Sequence, residues 1–319
     1  MAQRFECFYG GSGSGKTTAI IYLIAKVFNE SGKVARICVG DGSKQSYIEA
    51  GLVEAGVAHV MDFAIREYPL TTTQQICEGW WPEDVDNPLS KLRRLTPEEI
   101  AATGVWVIEG MSVMGAYIMG GTKGGLAYRG GQGEKIGQDS PIQIVDPSGL
   151  KFGGNPMSHY NVGQRHMLQN IQRTKALPGY FVVWSAHERL GEDMENGEKL
   201  IGPEIIGKAM TSWISREFSN TLHFTLATAV SKTTDKQTGK NVGSANQEYR
   251  VYTRDHFDPD GLTMVKYKAV NRCIIPDMMP EFVTGKAPGD NILEFYRLMV
   301  EAKKKWSVSN LIHPKDKVA

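Results

Sequence analysis

Between an apolar run, Phe5–Tyr9, and an amphipathic stretch that begins at Thr17 lies GGSGSGKTT, residues 10 to 18. Glycine weakens helix and strand alike, so four glycines in six positions need a backbone reason. The spacing Gly10-x-x-x-x-Gly15-Lys16-Thr17 supplies one. Glycines let successive backbone N–H groups converge on a phosphate, and the N-terminus of the following helix adds partial positive charge. Gly10, Gly11, Ser12, Gly13, Ser14, Gly15, Lys16, Thr17 and Thr18 are therefore the expected nucleotide-binding residues. Lys16 is expected to bridge the outer phosphates and Thr17 to ligate Mg²⁺, with Thr18 helping to orient the phosphates. The glycines make room for a nucleoside triphosphate.

Along the rest of the chain short apolar runs alternate with helical patterns, which predicts an α/β fold with a mainly parallel sheet and helices on both faces. Strands are expected over Phe5–Tyr9, Ala35–Val39, Val57–Phe63, Val105–Ile108, Tyr180–Ser185 and Leu222–Ala227. Glu248–Thr253 and Thr263–Ala269 read as antiparallel additions on the C-terminal side, because short loops join them. Helices are expected over Thr17–Asn29, Asn161–Leu177, Pro203–Phe218 and Asn291–Lys305. In the first of these Ile20, Leu23, Ile24, Val27 and Phe28 form one stripe, and Gly32 is a natural stop. Two segments break the pattern and read as long loops: glycine-rich Gly120–Gly154 and polar Ser231–Asn246. The expected organisation is one domain over residues 1–290, with an insertion at about 120–154, then a C-terminal helix and tail over 291–319.

Composition adds limits. With 319 residues, 41% hydrophobic and 22% charged, the chain is that of an ordinary globular protein. Its net charge of +1 gives no bulk attraction to nucleic acid or membrane, so a polyanion site must be a local patch. Cys7, Cys38, Cys77 and Cys273 are scattered without metal-ligand spacing, which suits buried thiols in a reducing compartment. The N-terminus has no apolar signal core, and no stretch approaches the length of a membrane span. A cytoplasmic protein is expected.

Phosphoryl transfer needs an acid for Mg²⁺ and a group that orients the attacking water. VWVIEG, residues 105 to 110, ends an apolar run on Glu109, the expected metal ligand. ARICVGDGSK places Asp41 just beyond a second run, and ligands in open parallel sheets collect at the carboxyl ends of strands. Asp41 is assigned to water activation and Glu109 to the metal, with the reverse assignment left open. A turn role in Gly40-Asp41-Gly42 accounts for Asp41 equally well. In FVVWSAHERL a third run ends on Ser185, His187 and Glu188. A neutral His187 there can donate to the terminal phosphate and sense its loss, although a lone histidine is often structural.

Taken in order, GGSGSGKTT, CVGDG, VWVIEG, WSAHE, IGPEIIGKAMT and KYKAVNR followed by IPDMMPEF make the chain resemble the RecA-like ATPases. In particular it is similar to the phage-encoded AAA-type ATP-binding proteins that include Sak-type single-strand annealing ATPases. The resemblance covers roughly residues 5 to 285. It implies ATP and Mg²⁺ as ligands, a homo-oligomeric ring or filament, and mobile loops that contact single-stranded DNA. It matches His187 to the residue that couples terminal-phosphate status to those loops. It also makes Lys268 and Arg272, with Lys266 behind them, the cations offered to a neighbouring subunit's nucleotide. A strand with a solvated basic face is the plainer reading of that run.

The Gly120–Gly154 segment and the Glu188–Met210 segment are the expected DNA contacts. The first offers Lys123, Arg129, Lys135 and Lys151 with Tyr128 and Phe152, but Glu134, Asp139 and Asp146 offset most of that charge. A DNA-dependent recombination or replication ATPase is the leading expectation. A phage DNA-packaging motor is one alternative; against it, no cluster of nuclease carboxylates follows residue 270. An ATP-controlled switch or scaffold is another alternative, and a small-molecule kinase lacks an arginine-rich lid.

Overall fold

The first strand, Arg4–Gly10, carries no solvent-facing edge: it lies between two parallel neighbours, Phe181–Ala186 and Asn220–Thr234. The computed structural model describes residues 3–84, 87, 89–120, 144–145, 151–152, 156–192, 199–234, 241–257, 265–271, 279–285, 287 and 289–305. Among them the main sheet runs Phe282–Gly285, Asn241–Tyr252, Asn220–Thr234, Arg4–Gly10, Phe181–Ala186, Thr103–Glu109, Val34–Val39, Ala58–Asp62. From Asn220–Thr234 to Ala58–Asp62 every pairing is parallel; Asn241–Tyr252 and Phe282–Gly285 add on antiparallel.

Both faces of the parallel part are covered, so its strands are apolar on both sides. Tyr9, Trp106, Ile108, Val182 and Trp184 point to one face, where Met114, Ile118, Met167 and Ile171 pack over them. Phe8, Val105, Val107, Val183 and Leu222 point to the other, under Ile20, Leu23 and Ile24 of the Lys16–Ser31 helix. Ile292, Phe295 and Met299 of the Asp290–Lys305 helix complete that second layer. The Lys16–Ser31 helix stops at Gly32, whose left-handed conformation (φ 67°) lets its N–H donate to the Phe28 carbonyl at 2.7 Å.

The mixed α/β reading and the antiparallel strands on the C-terminal side hold. Several boundaries do not. Pro203–Phe218 is not one helix: Lys199–Pro203 is a strand paired with Glu188–Glu192, and only Lys208–Trp213 is α-helical, followed by a 3₁₀ turn over Ile214–Glu217. The Glu204 N–H donates to the His187 carbonyl at 2.7 Å, which draws the chain away from a helical path. Thr263–Ala269 gives only the two-residue strand Lys266–Tyr267, in a separate small sheet, antiparallel to His256–Phe257 and parallel to Lys199–Pro203; residues 258–264 lie outside the described residues. The polar Ser231–Asn246 stretch is largely ladder, with Ser231 opposite Ser244 and Thr234 opposite Asn241. A ladder is made of backbone bonds, so polar side chains do not end it. The helix expected at Asn161 begins at Pro156, a residue suited to a first turn. Nearly all of the Gly120–Gly154 segment, Arg272 and the tail beyond residue 305 lie outside the described residues.

One buried charge stands in the central strand. Glu6 is fully enclosed opposite Asn220, whose Nδ2 donates to both carboxylate oxygens at 2.9 and 2.8 Å. Burial raises its pKa from about 4.5 to about 7, against the opposing pull of Asn220 and Arg4. Asn220 Oδ1 is buried without a hydrogen-bond partner. The folded state thus binds more protons than the unfolded chain between pH 4.5 and 7, so stability falls as pH rises through that window. The loss amounts to ~3 kcal/mol. Glu6→Gln, which removes the titrating carboxyl, is expected to abolish this decline, as read by urea unfolding at pH 5 and pH 7.5. Equal pH dependence in wild type and variant would count against it.

Candidate functional site

In a doubly covered parallel sheet the open crevice lies beyond the carboxyl ends of the strands, where the strand order reverses. Here the chain leaves Arg4–Gly10 toward Val34–Val39 on one side and finally returns as Asn220–Thr234 on the other. Gly10 is therefore at the reversal. Its backbone has φ 153°, and a Cβ there would stand 2.2 Å from the Phe224 carbonyl oxygen on the adjacent strand. Only glycine turns the chain so close to its neighbour. Gly15, in the left-handed region (φ 92°, ψ 9°), then leads into the helix that begins at Lys16.

Lys16 folds back over the loop. Its Nζ donates to the carbonyls of Gly10 (2.8 Å) and Gly11 (2.9 Å) and reaches Ser14 Oγ at 3.3 Å. Burial lowers its pKa, while Glu109, Glu188 and Asp41 raise it. Three carboxylates thus act on one half-buried ammonium.

Glu109 comes from the Thr103–Glu109 strand and is 2% exposed. Thr17 Oγ1 donates to its Oε1, and the Tyr47 hydroxyl donates to its Oε2. Burial pushes the carboxyl up; the hydrogen bonds from Thr17 and Tyr47 pull it back, and Asp41 adds to the rise. Thr17 and Glu109, expected from sequence as a pair, are in contact. Asp41 follows the strand whose Val39 is level with Glu109, and its Cγ lies near Gly110. Asp41 Oδ1 also accepts from the Ser43 N–H at 3.1 Å, so it closes a turn as well as facing the site.

The third strand end is pinned by two serines. Ser185 Oγ accepts from the Gly110 N–H at 3.1 Å, and Ser112 Oγ accepts from the His187 N–H at 3.1 Å. These bonds tie the Phe181–Ala186 strand to the start of the Met111–Met119 helix. The side chain from this strand end that reaches the glycine loop is the next one, Glu188: its Oε1 lies 3.6 Å from where a Gly11 Cβ would stand. Glu188 Oε2 is 3.2 Å from Nε2 of His223, which is 1% exposed. That hydrogen bond, with the charges of His223, Lys16 and His187, holds the carboxyl below its usual range despite burial.

Sequence reasoning gave Glu188 no part in the nucleotide site, only a place at the start of an expected DNA-contact segment, and passed over Tyr47 and His223. The signal for His223 was present in TLHFTL, a histidine inside an apolar run. Tyr47 had none, since its helix, Lys44–Glu49, is too short to show a period.

The basic run at Lys266 is bound within its own chain. Lys266 Nζ and Lys268 Nζ lie 3.1 and 3.4 Å from Asp255 Oδ2, while the Lys268 carbonyl accepts from the Tyr9 hydroxyl at 2.7 Å. Arg272 lies outside the described residues.

Among the described residues no group of three or more His, Cys, Asp or Glu is arranged to hold a metal, and no helix is long and apolar enough to cross a membrane. A cavity of about 560 Å³ between the Lys16–Ser31 and Asp290–Lys305 helices opens beside Arg4 and Phe181, at the opposite end of the strands. It is no part of this site. No protein-family model matches the chain, and no curated protein matches it.

Gly10→Ala is expected to destabilise the protein by about 2–4 kcal/mol, because the new methyl meets a backbone oxygen that cannot yield. Thermal unfolding measures this; a variant that melts with the wild type would remove the steric requirement at Gly10.

Proposed function

We propose that this chain is a Mg²⁺-dependent ATP-binding and ATP-hydrolysing protein of RecA-like type, acting as a homo-oligomer on single-stranded DNA in recombination or replication. What carries the reading is one juxtaposition: a glycine loop at the sheet's reversal point, with Lys16 in its mouth and a Thr17–Glu109 pair beside it. Gly10–Thr18 cradle the phosphates through backbone N–H groups, and Lys16 contributes the mobile positive charge.

The donor set fits Mg²⁺. The ion prefers hard oxygen ligands and in phosphate sites takes only one or two from protein, with waters and phosphate oxygens for the rest. Glu109 is a buried carboxylate whose hydrogen bonds come from neutral hydroxyls, so it is an acid in need of a cation. Thr17 and Glu109 would hold the metal, and Mg²⁺ supplies charge neutralisation on the transferring phosphoryl group. Asp41, two residues beyond the Val39 that is level with Glu109, is the carboxylate assigned to orient the attacking water, with Glu109 as the alternative. His187 is kept as the reporter of the terminal phosphate, and Lys268 and Arg272 as the cations offered across a subunit interface. For Lys268 that role requires exchanging Asp255 for a phosphate.

A second reading, an ATP-controlled switch or scaffold, draws on that same pairing of Lys266 and Lys268 with Asp255 in cis. Phosphate release from Mg·ATP with and without single-stranded DNA, run beside a mass measurement of the assembled particle, separates the two. DNA stimulation of an oligomer supports the first; hydrolysis indifferent to DNA supports the second.

Lys16→Ala is expected to reduce hydrolysis by at least ~100-fold while leaving the melting temperature near wild type. Undiminished turnover would refute the site. Tyr47→Phe removes one donor to the Glu109 carboxylate and is expected to raise the Mg²⁺ concentration for half-maximal activity by about 3- to 10-fold. An unchanged Mg²⁺ titration would detach Glu109 from the metal.

A further inference from the structure

Behind the glycine loop runs a chain of hydrogen bonds that the assignments above do not use. Glu188 Oε2 faces His223 Nε2 at 3.2 Å, His223 Nδ1 faces His256 Nε2 at 3.1 Å, and His256 Nδ1 faces the Arg254 carbonyl at 3.3 Å. Both histidines are buried, at 1% and 3% exposure, whereas Glu188 is 39% exposed and leans over Gly11.

The order of donors follows from chemistry. A carbonyl only accepts, so His256 Nδ1 carries a hydrogen. With His256 neutral its Nε2 accepts, so His223 Nδ1 carries a hydrogen too. Neutral His223 then presents a lone pair at Nε2, and that lone pair faces a carboxylate oxygen. Two acceptors at 3.2 Å require a proton between them, held either by Glu188 as an acid or by His223 as imidazolium.

The other groups facing this pair have been placed by the fold. Lys16 approaches from the loop, and His187 is the preceding residue. Tyr9, Tyr267 and Tyr252 stack on the His223 ring with centroids 4.7, 4.6 and 6.0 Å away. Asp255 lies beyond Tyr9, engaged with Lys266 and Lys268. Lys16 favours the carboxylate form of Glu188, and desolvation disfavours the imidazolium form of His223.

We propose that Glu188 is the specificity-determining contact for the terminal phosphate, and that the Glu188–His223 pair takes up one further proton when a nucleoside triphosphate, but not a diphosphate, fills the loop. The proton balance is simple. An anionic phosphate beside Gly11 meets an anionic carboxylate oxygen, and like charges at that range cannot both remain ionised. One added proton resolves it: His223 Nε2–H donates to Glu188 Oε2, and Glu188 Oε1–H donates to a phosphate oxygen. His223 acts as the positioning residue, and the His256–Arg254 bonds fix its ring.

This inference rests on the nucleotide-site reading, and the test separates the two. Mg²⁺ complexes of ADP and of a non-hydrolysable ATP analogue are titrated into the full chain by calorimetry. Buffers of different ionisation enthalpy are used at pH 6, 7 and 8, and the protons taken up per nucleotide are read directly. The wild type is expected to bind up to one more proton with the ATP analogue than with ADP. Its preference for the analogue should weaken by up to tenfold per pH unit as pH rises. Glu188→Gln, at a half-exposed position, is expected to bind both nucleotides, to lose the difference in proton uptake, and to show a preference independent of pH. Equal uptake for the two nucleotides in the wild type overturns the inference even if Glu188→Gln fails to fold. Undiminished extra uptake in a folded Glu188→Gln protein also overturns it. Failure of the wild type to bind either nucleotide refutes the nucleotide site itself.

Discussion

The position of the first strand between two parallel partners governs the rest. Cys7, Phe8 and Tyr9 are fully buried, and Tyr9 is level with Ala186 on one side and His223 on the other. Such a strand has no room to shift register, because a one-residue slip would exchange Phe8 and Tyr9 between two differently packed faces. Its end is therefore fixed to within a residue. At that end Gly10 passes against Phe224 with no space for a side chain, and the loop that follows inherits both position and direction. The helix beyond it is held by its own apolar stripe, Ile20, Leu23, Ile24 and Val27, so both flanks of the loop are rigid.

Charge at the site is organised around one half-buried lysine. Removing Lys16 from water costs free energy, which the loop carbonyls and three nearby carboxylates offset. The carboxylates differ in kind. Glu109 is enclosed and hydrogen-bonded by hydroxyls, Asp41 is exposed and closes a turn, and Glu188 is half-exposed and backed by a buried imidazole. Environment alone gives the three acids three different chemistries.

Tyr9 links this site to a second, smaller sheet built from Glu188–Glu192, Lys199–Pro203, Lys266–Tyr267 and His256–Phe257. Its ring stacks on His223 and its hydroxyl donates to the Lys268 carbonyl, while Glu188 opens that sheet's first strand. A change at Glu188 therefore has a short, packed route to Asp255 and its two lysines.

The amino-acid sequence by itself determined the parallel α/β sheet, the glycine loop at Gly10–Thr18, and the places of Thr17 at the helix start and Glu109 at a strand end. Each rests on local pattern: period-two and period-3.6 burial, glycine where backbone must come close, and an acid ending an apolar run. It misjudged Pro203–Phe218 and Ser231–Asn246, because backbone pairing with the neighbouring strand of a hairpin outweighs residue preference there. Tertiary structure alone decided that Tyr47 caps Glu109, that Lys268 pairs with Asp255, and that Glu188, rather than His187, has its side chain closest to the turn at Gly11. Those contacts join residues 13 to 62 positions apart, or 177 in the case of Glu188 and Gly11, and no local spacing encodes them. They exist because strand order brings distant chain ends to one edge of the sheet.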